Sequence, residues 1–305
     1  MKKSILILLL FVTIFSCKEE KPVSLEAEVN DTIVEQQESS ISDFDKKYGL
    51  WSGEFVADIF NEGNEGNYSF SNRLTVVIQD IMDDKVTGYS ISAGNIRPFI
   101  GEVKQTDSTR YIVVKEPGDH KYDGVFKFNI ADNNDSIFGE WISNRKDLPV
   151  LSRTFNMKKK DFKYNPNNML DKEQNGDGYE DIGVVDWING REKIMEYEGE
   201  KYESYVNRAA SDEIFHINAS TRKLTEKELK NLRKLDLEII RNSIYARHGY
   251  SFANRGSRQY FDNVDWYVPL YTNVENQLTP IEKENISLLK RLEKYAEDNY
   301  QQFGR

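Results

Sequence analysis

The chain has 305 residues, a formal net charge of -10 at neutral pH, three histidines and a single cysteine. An acidic chain without a basic patch disfavours nucleic acid as a partner, and one cysteine excludes an internal disulfide or a cysteine-based metal site. Stability must therefore come from packed cores, and the length suggests roughly two domains.

Met1-Lys2-Lys3, the apolar run from Ile5 to Phe15 and the small pair Ser16-Cys17 form the three zones of a secretory signal peptide, assigned to residues 1–16. The run is shorter than the roughly 20 apolar residues that span a bilayer, and Lys18-Glu19-Glu20-Lys21 follows at once. Ile14-Phe15-Ser16-Cys17 resembles the lipobox of bacterial lipoproteins, with Phe15 bulkier than the usual residue there. The resemblance implies cleavage before Cys17, lipid attachment to it and anchorage in the outer membrane; an ordinary signal peptide followed by an incidental cysteine is the other reading. Cys17-Lys18-Glu19-Glu20 is similar to the acidic export tag of lipoproteins of the Bacteroidetes, which implies display at the cell surface. Residues 17–47 are rich in Glu, Asp, Ser and Gln, too polar to offset chain entropy by burial, and read as a disordered acidic tether.

From 48 to 160 the pattern is that of strands. Eight short β-branched and aromatic runs begin at Trp51, Leu74, Val86, Arg97, Tyr111, Val125, Ile137 and Thr154, separated by turn clusters such as Asp83-Asp84 and Asp132-Asn133-Asn134-Asp135. An antiparallel barrel or sandwich of about eight strands is expected. Gly49-Leu50-Trp51-Ser52-Gly53 and Gly139-Glu140-Trp141 resemble the punctuation of small barrels of the lipocalin and avidin type. Eight strands leave an interior that side chains just fill or that holds one small ligand.

Residues 161–223 read as a mixed connector, with a short helix expected over Glu200 to Ala210. Within it Glu173, Asn175, Asp177 and Asp181 place oxygen side chains at positions 1, 3, 5 and 9 of a loop with glycine at 6. This resembles calcium loops of the EF-hand and integrin-repeat type, departing at Glu173 and in lacking the closing bidentate glutamate. No cofactor is expected apart from calcium at this loop, and an acidic Gly-rich surface turn accounts for the same letters.

Residues 224–299 form a helical module, followed by a tail at 300–305. Leu224-Thr225 with Glu228, and Leu278-Thr279-Pro280 with Glu282, are two capping boxes that fix helix starts. The second helix should run from Pro280 to about Tyr295. Between them Lys234 to His248 reads as a helix ended by Gly249 in a left-handed cap. Leu235, Ile239 and Ala246 form one apolar stripe and Leu237, Ile240 and Ile244 another nearly opposite, so the helix is sandwiched. Its remaining side carries Glu238, Arg241, Tyr245 and His248, the candidate binding face. Asn242 and Arg247 fall on apolar stripes and must be buried polar anchors, bonded to carbonyls or to an acid, with Asp262 and Asp265 as acids for Arg247.

The string Arg241-Asn242-x-Ile244-Tyr245-Ala246-Arg247-His248-Gly249-Tyr250-x-Phe252, then Tyr260-Phe261, Trp266-Tyr267 and Leu278-Thr279 with Glu282, Glu284, Asn285 and Ile286, closely resembles the YARHG domain. The resemblance implies an exported helical module and transfers no catalytic residues. The fold class is thus α+β with two domains. The function expected is a lipid-anchored, non-catalytic binding or scaffolding protein of the envelope, with a glycan, peptidoglycan or a protein as partner. His120, His216 and His248 never fall at ligand spacing, and no HExxH or GxSxG string occurs. An envelope hydrolase that acts on polysaccharide or peptidoglycan through paired carboxylates is the alternative.

Overall fold

In the computed structural model, which describes residues 48–61, 68–105, 110–131, 133–172 and 184–297, the eight apolar runs become eight strands. They are β1 (Gly49–Phe60), β2 (Ser71–Met82), β3 (Lys85–Ser92), β4 (Asn95–Gln105), β5 (Arg110–Lys115), β6 (Gly124–Ile130), β7 (Ser136–Ser143) and β8 (Val150–Lys159). Each pairs antiparallel with the next and β8 pairs with β1, so the sheet closes into a barrel and the sandwich is set aside. Closure removes every edge.

Residues two apart share a face of a strand, and the inward set is large and apolar. Trp51, Phe99, Phe126, Phe128, Phe155 and Met157 meet on the axis. Inward glycines make room for the rings: a Cβ on Gly88 would strike the Phe99 ring and the Val77 carbonyl, and one on Gly139 would strike Phe128 and the Lys127 carbonyl. The barrel is therefore packed along most of its length.

After β8 the chain crosses to a second core. A long hairpin, β9 (Val185–Tyr197) and β10 (Glu200–Ala209), stands where a short helix was expected over Glu200 to Ala210. Its turn is Glu198-Gly199, both at positive φ (51° and 85°), the conformation that matches strand twist in a two-residue hairpin. Tyr202 sits opposite Met195 and Tyr205 opposite Glu192, so they occupy opposite faces of the ribbon rather than one side of a helix.

The helices are α1 (Glu226–Leu229), α2 (Lys234–Arg247), α3 (Arg255–Phe261) and α4 (Pro280–Glu293). At the start of α4 the Thr279 side chain accepts from the Glu282 amide while the Glu282 carboxylate accepts from the Thr279 amide, the capping box read from the sequence. Both apolar stripes of α2 are buried. Leu170, Val184, Ala210, Ile214 and Ile217 join the same core, which ties the connector into the module.

Three consecutive motif residues hold this core together. Arg247 is 2% exposed; its Nε donates to the Asn168 carbonyl at 2.6 Å and its Nη1 to the Ser220 hydroxyl at 3.1 Å. The acids proposed as its partners lie elsewhere: Asp262 accepts from the amide of Arg73 on β2, and Lys160 donates to the Asp265 carbonyl. His248, 3% exposed, stacks on Tyr164 at 4.2 Å, and its Nε2 lies 2.8 Å from Glu282. Tyr164 donates to the same carboxylate at 3.0 Å. Gly249, at φ 74°, completes a Schellman cap, with its amide bonded to the Ala246 carbonyl and that of Tyr250 to the Tyr245 carbonyl.

The Gly249 carbonyl accepts from the amides of Leu270 and Tyr271. That segment lies on the barrel wall, where Val268 and Leu270 pack against outward-facing Leu50, Val77 and Ile91. Arg73 reaches into the module and donates to the carbonyls of Asp262 and Val264 at 3.2 Å each. Barrel and helices thus form one compact unit.

Burial alone would push the Glu282 carboxyl up, but His248, Ser220 and the Thr279 amide outweigh it and hold it down at about 2. A depressed value means that its contribution is full above the ordinary value of 4.5 and is lost as pH falls toward the folded one. At most about 3 kcal/mol is at stake. Glu282→Gln should remove this limb, so the urea midpoints of wild type and variant should converge as pH drops from about 5 to about 2.5. Parallel curves would refute the linkage.

Candidate functional site

The inward register of the strands does not end where the aromatic packing ends. Toward one mouth it continues as Asn72, Ser90, Arg97, Glu116 and Arg153, with Phe55, Phe126 and Trp141 beneath them. These residues line a cavity of about 420 Å³, within the range of roughly 300–1,000 Å³ found for small-molecule sites. The far wall is supplied by the helical module through Ala253, Arg255 and Arg258. The β3–β4 turn fixes that approach: the Gly94 amide donates to Ser251 Oγ at 3.0 Å, and a Cβ on Gly94 would lie 2.6 Å from that of Ala253.

Glu116 stands on the barrel side of the cavity, 7% exposed. Its carboxylate accepts from the Ser90 hydroxyl at 2.5 Å, the Gly124 amide at 2.7 Å and Trp141 Nε1 at 3.2 Å. Burial pushes the carboxyl above its usual range, the three donors offset this only in part, and the charge of Asp123 adds to the rise. Asp123 itself is fully buried. It is bound by both arms of Arg97 at 2.8 and 2.7 Å and by the amides of Gly118 and His120. Burial would raise its carboxyl, but these donors, Arg97 foremost, hold it below the usual carboxylate range. Arg97 also meets Asp119, so its charge is answered within the barrel.

Arg153 is different. It is 8% exposed and lies over the Phe55 ring at 5.3 Å. Its donors go to the carbonyls of Phe55 at 2.9 Å, Phe70 at 3.2 Å and Ser69 at 2.8 Å, and no carboxylate pairs with it among the described residues. Burial and the nearby charge of Arg258 lower its value to about 10. Arg258 donates to the carbonyl of Ala253 and to Ser69 Oγ at 3.5 Å, with its nearest acid, Asp262, at 3.9 Å. Asp262 is drawn up by burial to about 6.

The face expected on α2 is not assembled as an open patch. Glu238 pairs with Arg208 of β10 at 2.7 Å, Arg241 grips Glu293 of α4 at 2.5 Å, Tyr245 reaches Glu275 at 3.4 Å and His248 is buried. Each residue is engaged by a neighbouring element, Arg241 and His248 both by α4. Asn242, half-buried, accepts from Arg241 and donates to Ser257. Cys17 and the calcium candidates Glu173, Asn175, Asp177 and Asp181 lie outside the described residues. Among the described residues no three His, Cys, Asp or Glu side chains gather as a metal centre.

The cavity residues had a signal in the sequence. Arg97 stands two before Phe99, Glu116 two after Val114 and Arg153 two before Phe155, so each continues an alternating inward pattern with a charge. Arg97 reads as a strand start without regard to its inward face, and Glu116 and Arg153 fall just outside the apolar runs, so none is singled out as a site residue.

Fold and site together define a closed eight-stranded barrel whose one mouth is walled by a small helical module. That module is a YARHG domain: the family model matches residues 213–294, which include α1 to α4 up to Lys294. No curated protein and no solved structure matches the chain.

A raised carboxyl binds its proton more tightly when folded, so the Glu116 contribution is full below the ordinary value of 4.5 and is lost as pH rises through the folded one. Glu116→Gln keeps an oxygen for Gly124 and Trp141 and an amide for Ser90 while removing the charge. Its melting temperature relative to wild type should therefore rise between about pH 4 and pH 8. A difference independent of pH would show that the carboxylate carries no such cost.

Proposed function

We propose that the protein is a lipid-anchored envelope protein that acts as a non-catalytic binding module, with the barrel-mouth cavity as its ligand site. The observation that carries this reading is the convergence of Asn72, Ser90, Glu116 and Arg153 over the aromatic floor of Phe55, Phe126 and Trp141, in a barrel otherwise packed. Hydroxyls and amides beside aromatic rings suit a glycan fragment better than an extended protein segment. Glu116 is the one carboxylate on the cavity wall among the described residues, whereas paired-acid hydrolysis needs two. That difference favours binding over the hydrolase reading.

Anchorage rests on the lipobox-like Ile14-Phe15-Ser16-Cys17, and surface display on the acidic stretch after it. Cys17→Ser should abolish incorporation of a labelled fatty acid and move the protein from the membrane pellet to the soluble fraction; retention of label would refute attachment there. For the site, intrinsic tryptophan emission and melting should both respond to small envelope glycan fragments, and Trp141→Phe should remove most of the emission change. A small-molecule and glycan library that moves neither readout would sink the binding reading.

A further inference from the structure

Among the described residues the cavity wall carries four arginines, Arg97, Arg153, Arg255 and Arg258, against the single carboxylate of Glu116. This stands out in a chain of net charge -10, in which acids outnumber bases 51 to 41. Arg97 is neutralised by Asp119 and Asp123. Arg153 has no carboxylate partner among the described residues, and Arg258 has only the long pair with Asp262 at 3.9 Å. Both guanidinium groups converge on Ser69, one on its carbonyl and the other on its hydroxyl. They come from opposite sides, Arg153 from β8 and Arg258 from α3. Each is pinned by backbone carbonyls, which orient a guanidinium without cancelling its charge. Holding two like charges together at a largely buried site costs free energy, and an anion placed between them recovers it.

We propose that the cavity binds an acidic sugar, a hydroxylated ring that carries a carboxylate or a phosphate. Its acidic group sits between Arg153 and Arg258, and its ring lies over Phe55 and Trp141 toward Glu116 and Ser90. The proposal rests on the cavity being a ligand site and goes further in assigning the ligand's charge and size. A guanidinium presents paired donors to a carboxylate or phosphate, and Glu116 accepts from a ring hydroxyl. A fatty acid would offer the same anion, but its chain would need the barrel axis, which Trp51, Phe128 and Met157 fill.

The test uses the mature chain and matched probes: galacturonate against galactose for the carboxylate, and glucose 6-phosphate against glucose for the phosphate. Tryptophan emission and calorimetry at 50 mM and 500 mM NaCl read the affinity. At least one acid should bind at least tenfold more tightly than its neutral parent, and high salt should erase most of that margin. Which acid wins tells carboxylate from phosphate. Arg153→Lys, which keeps a charge but not the planar fork, and Arg258→Gln should each weaken the acid at least tenfold while leaving neutral probes unchanged. If either variant fails to fold, the comparison of acid with neutral parent and its salt dependence in wild type still decides. Equal binding of acid and neutral sugar would overturn the acidic assignment and leave the binding reading intact. Silence from all four probes would also overturn it, and the wider library then decides whether the cavity binds anything.

Discussion

The structure depends on one constraint at the end of α2: the chain must leave that helix through a left-handed residue placed directly after two buried polar side chains. Arg247 secures the connector at Asn168, His248 secures α4 through Glu282, and the Gly249 carbonyl secures the segment at Leu270 and Tyr271. Three consecutive residues therefore reach three stretches far apart in sequence. Buried polar groups stabilise little on their own once desolvation is counted, and their use here is to specify one arrangement. Glu282 illustrates this, because one carboxylate caps its own helix, accepts from Tyr164 and faces His248. An apolar residue there would fill the volume but would not say which helix end meets which loop.

That arrangement extends to the barrel. The segment held by Gly249 covers Leu50, Val77 and Ile91 on the outer wall, and Arg73 crosses in the other direction to the carbonyls of Asp262 and Val264. Between these two joints the chain runs through Ala253 to Arg258, the stretch that walls the cavity. The position of Arg258 opposite Arg153 is thus a consequence of how the motif residues pack, although none of them touches the cavity. This gives the YARHG string a role in the site without placing it there.

Much of this was legible in the sequence, and for physical reasons. Period-two alternation of large apolar residues marks strands, and eight such runs with short turns led to a barrel or a sandwich, between which only the β8–β1 pairing decides. Thr279 with Glu282, and Gly249 after Arg247, are local signals whose geometry depends on nearest neighbours, so both caps formed as read. Where partners were distant the sequence was silent. Arg247 was correctly placed as a buried anchor, yet its acceptor is a carbonyl about 80 residues upstream in the chain, and a carbonyl has no side-chain identity to read. Hairpin β9–β10 was missed because Glu198 stands where asparagine or aspartate usually marks such a turn, and because Tyr202, Tyr205 and Val206 also suit a helical stripe. Helix α3 is only seven residues long, too short for a periodic signal.

The charge pattern of the cavity follows from a limit on barrels of this size. Eight strands enclose little more than their own inward side chains, and here the aromatic core uses the axis up to Phe55, Phe126 and Trp141. Only the inward positions toward the mouth are free of that packing, and it is there that Ser90, Arg97 and Arg153 occur, with Glu116 just past the end of β5. A polar residue one step deeper would meet rings on all sides and lose its hydrogen bonds; one step further out it would be solvated and weak. At the mouth it is desolvated enough for its charge to count and close enough to backbone carbonyls to be held in place. The module supplies the missing wall and with it the second guanidinium, so the site exists only where both halves meet. The packed axis admits no chain behind the mouth, so the proposed ligand is a compact group whose shape and charge would set the selectivity.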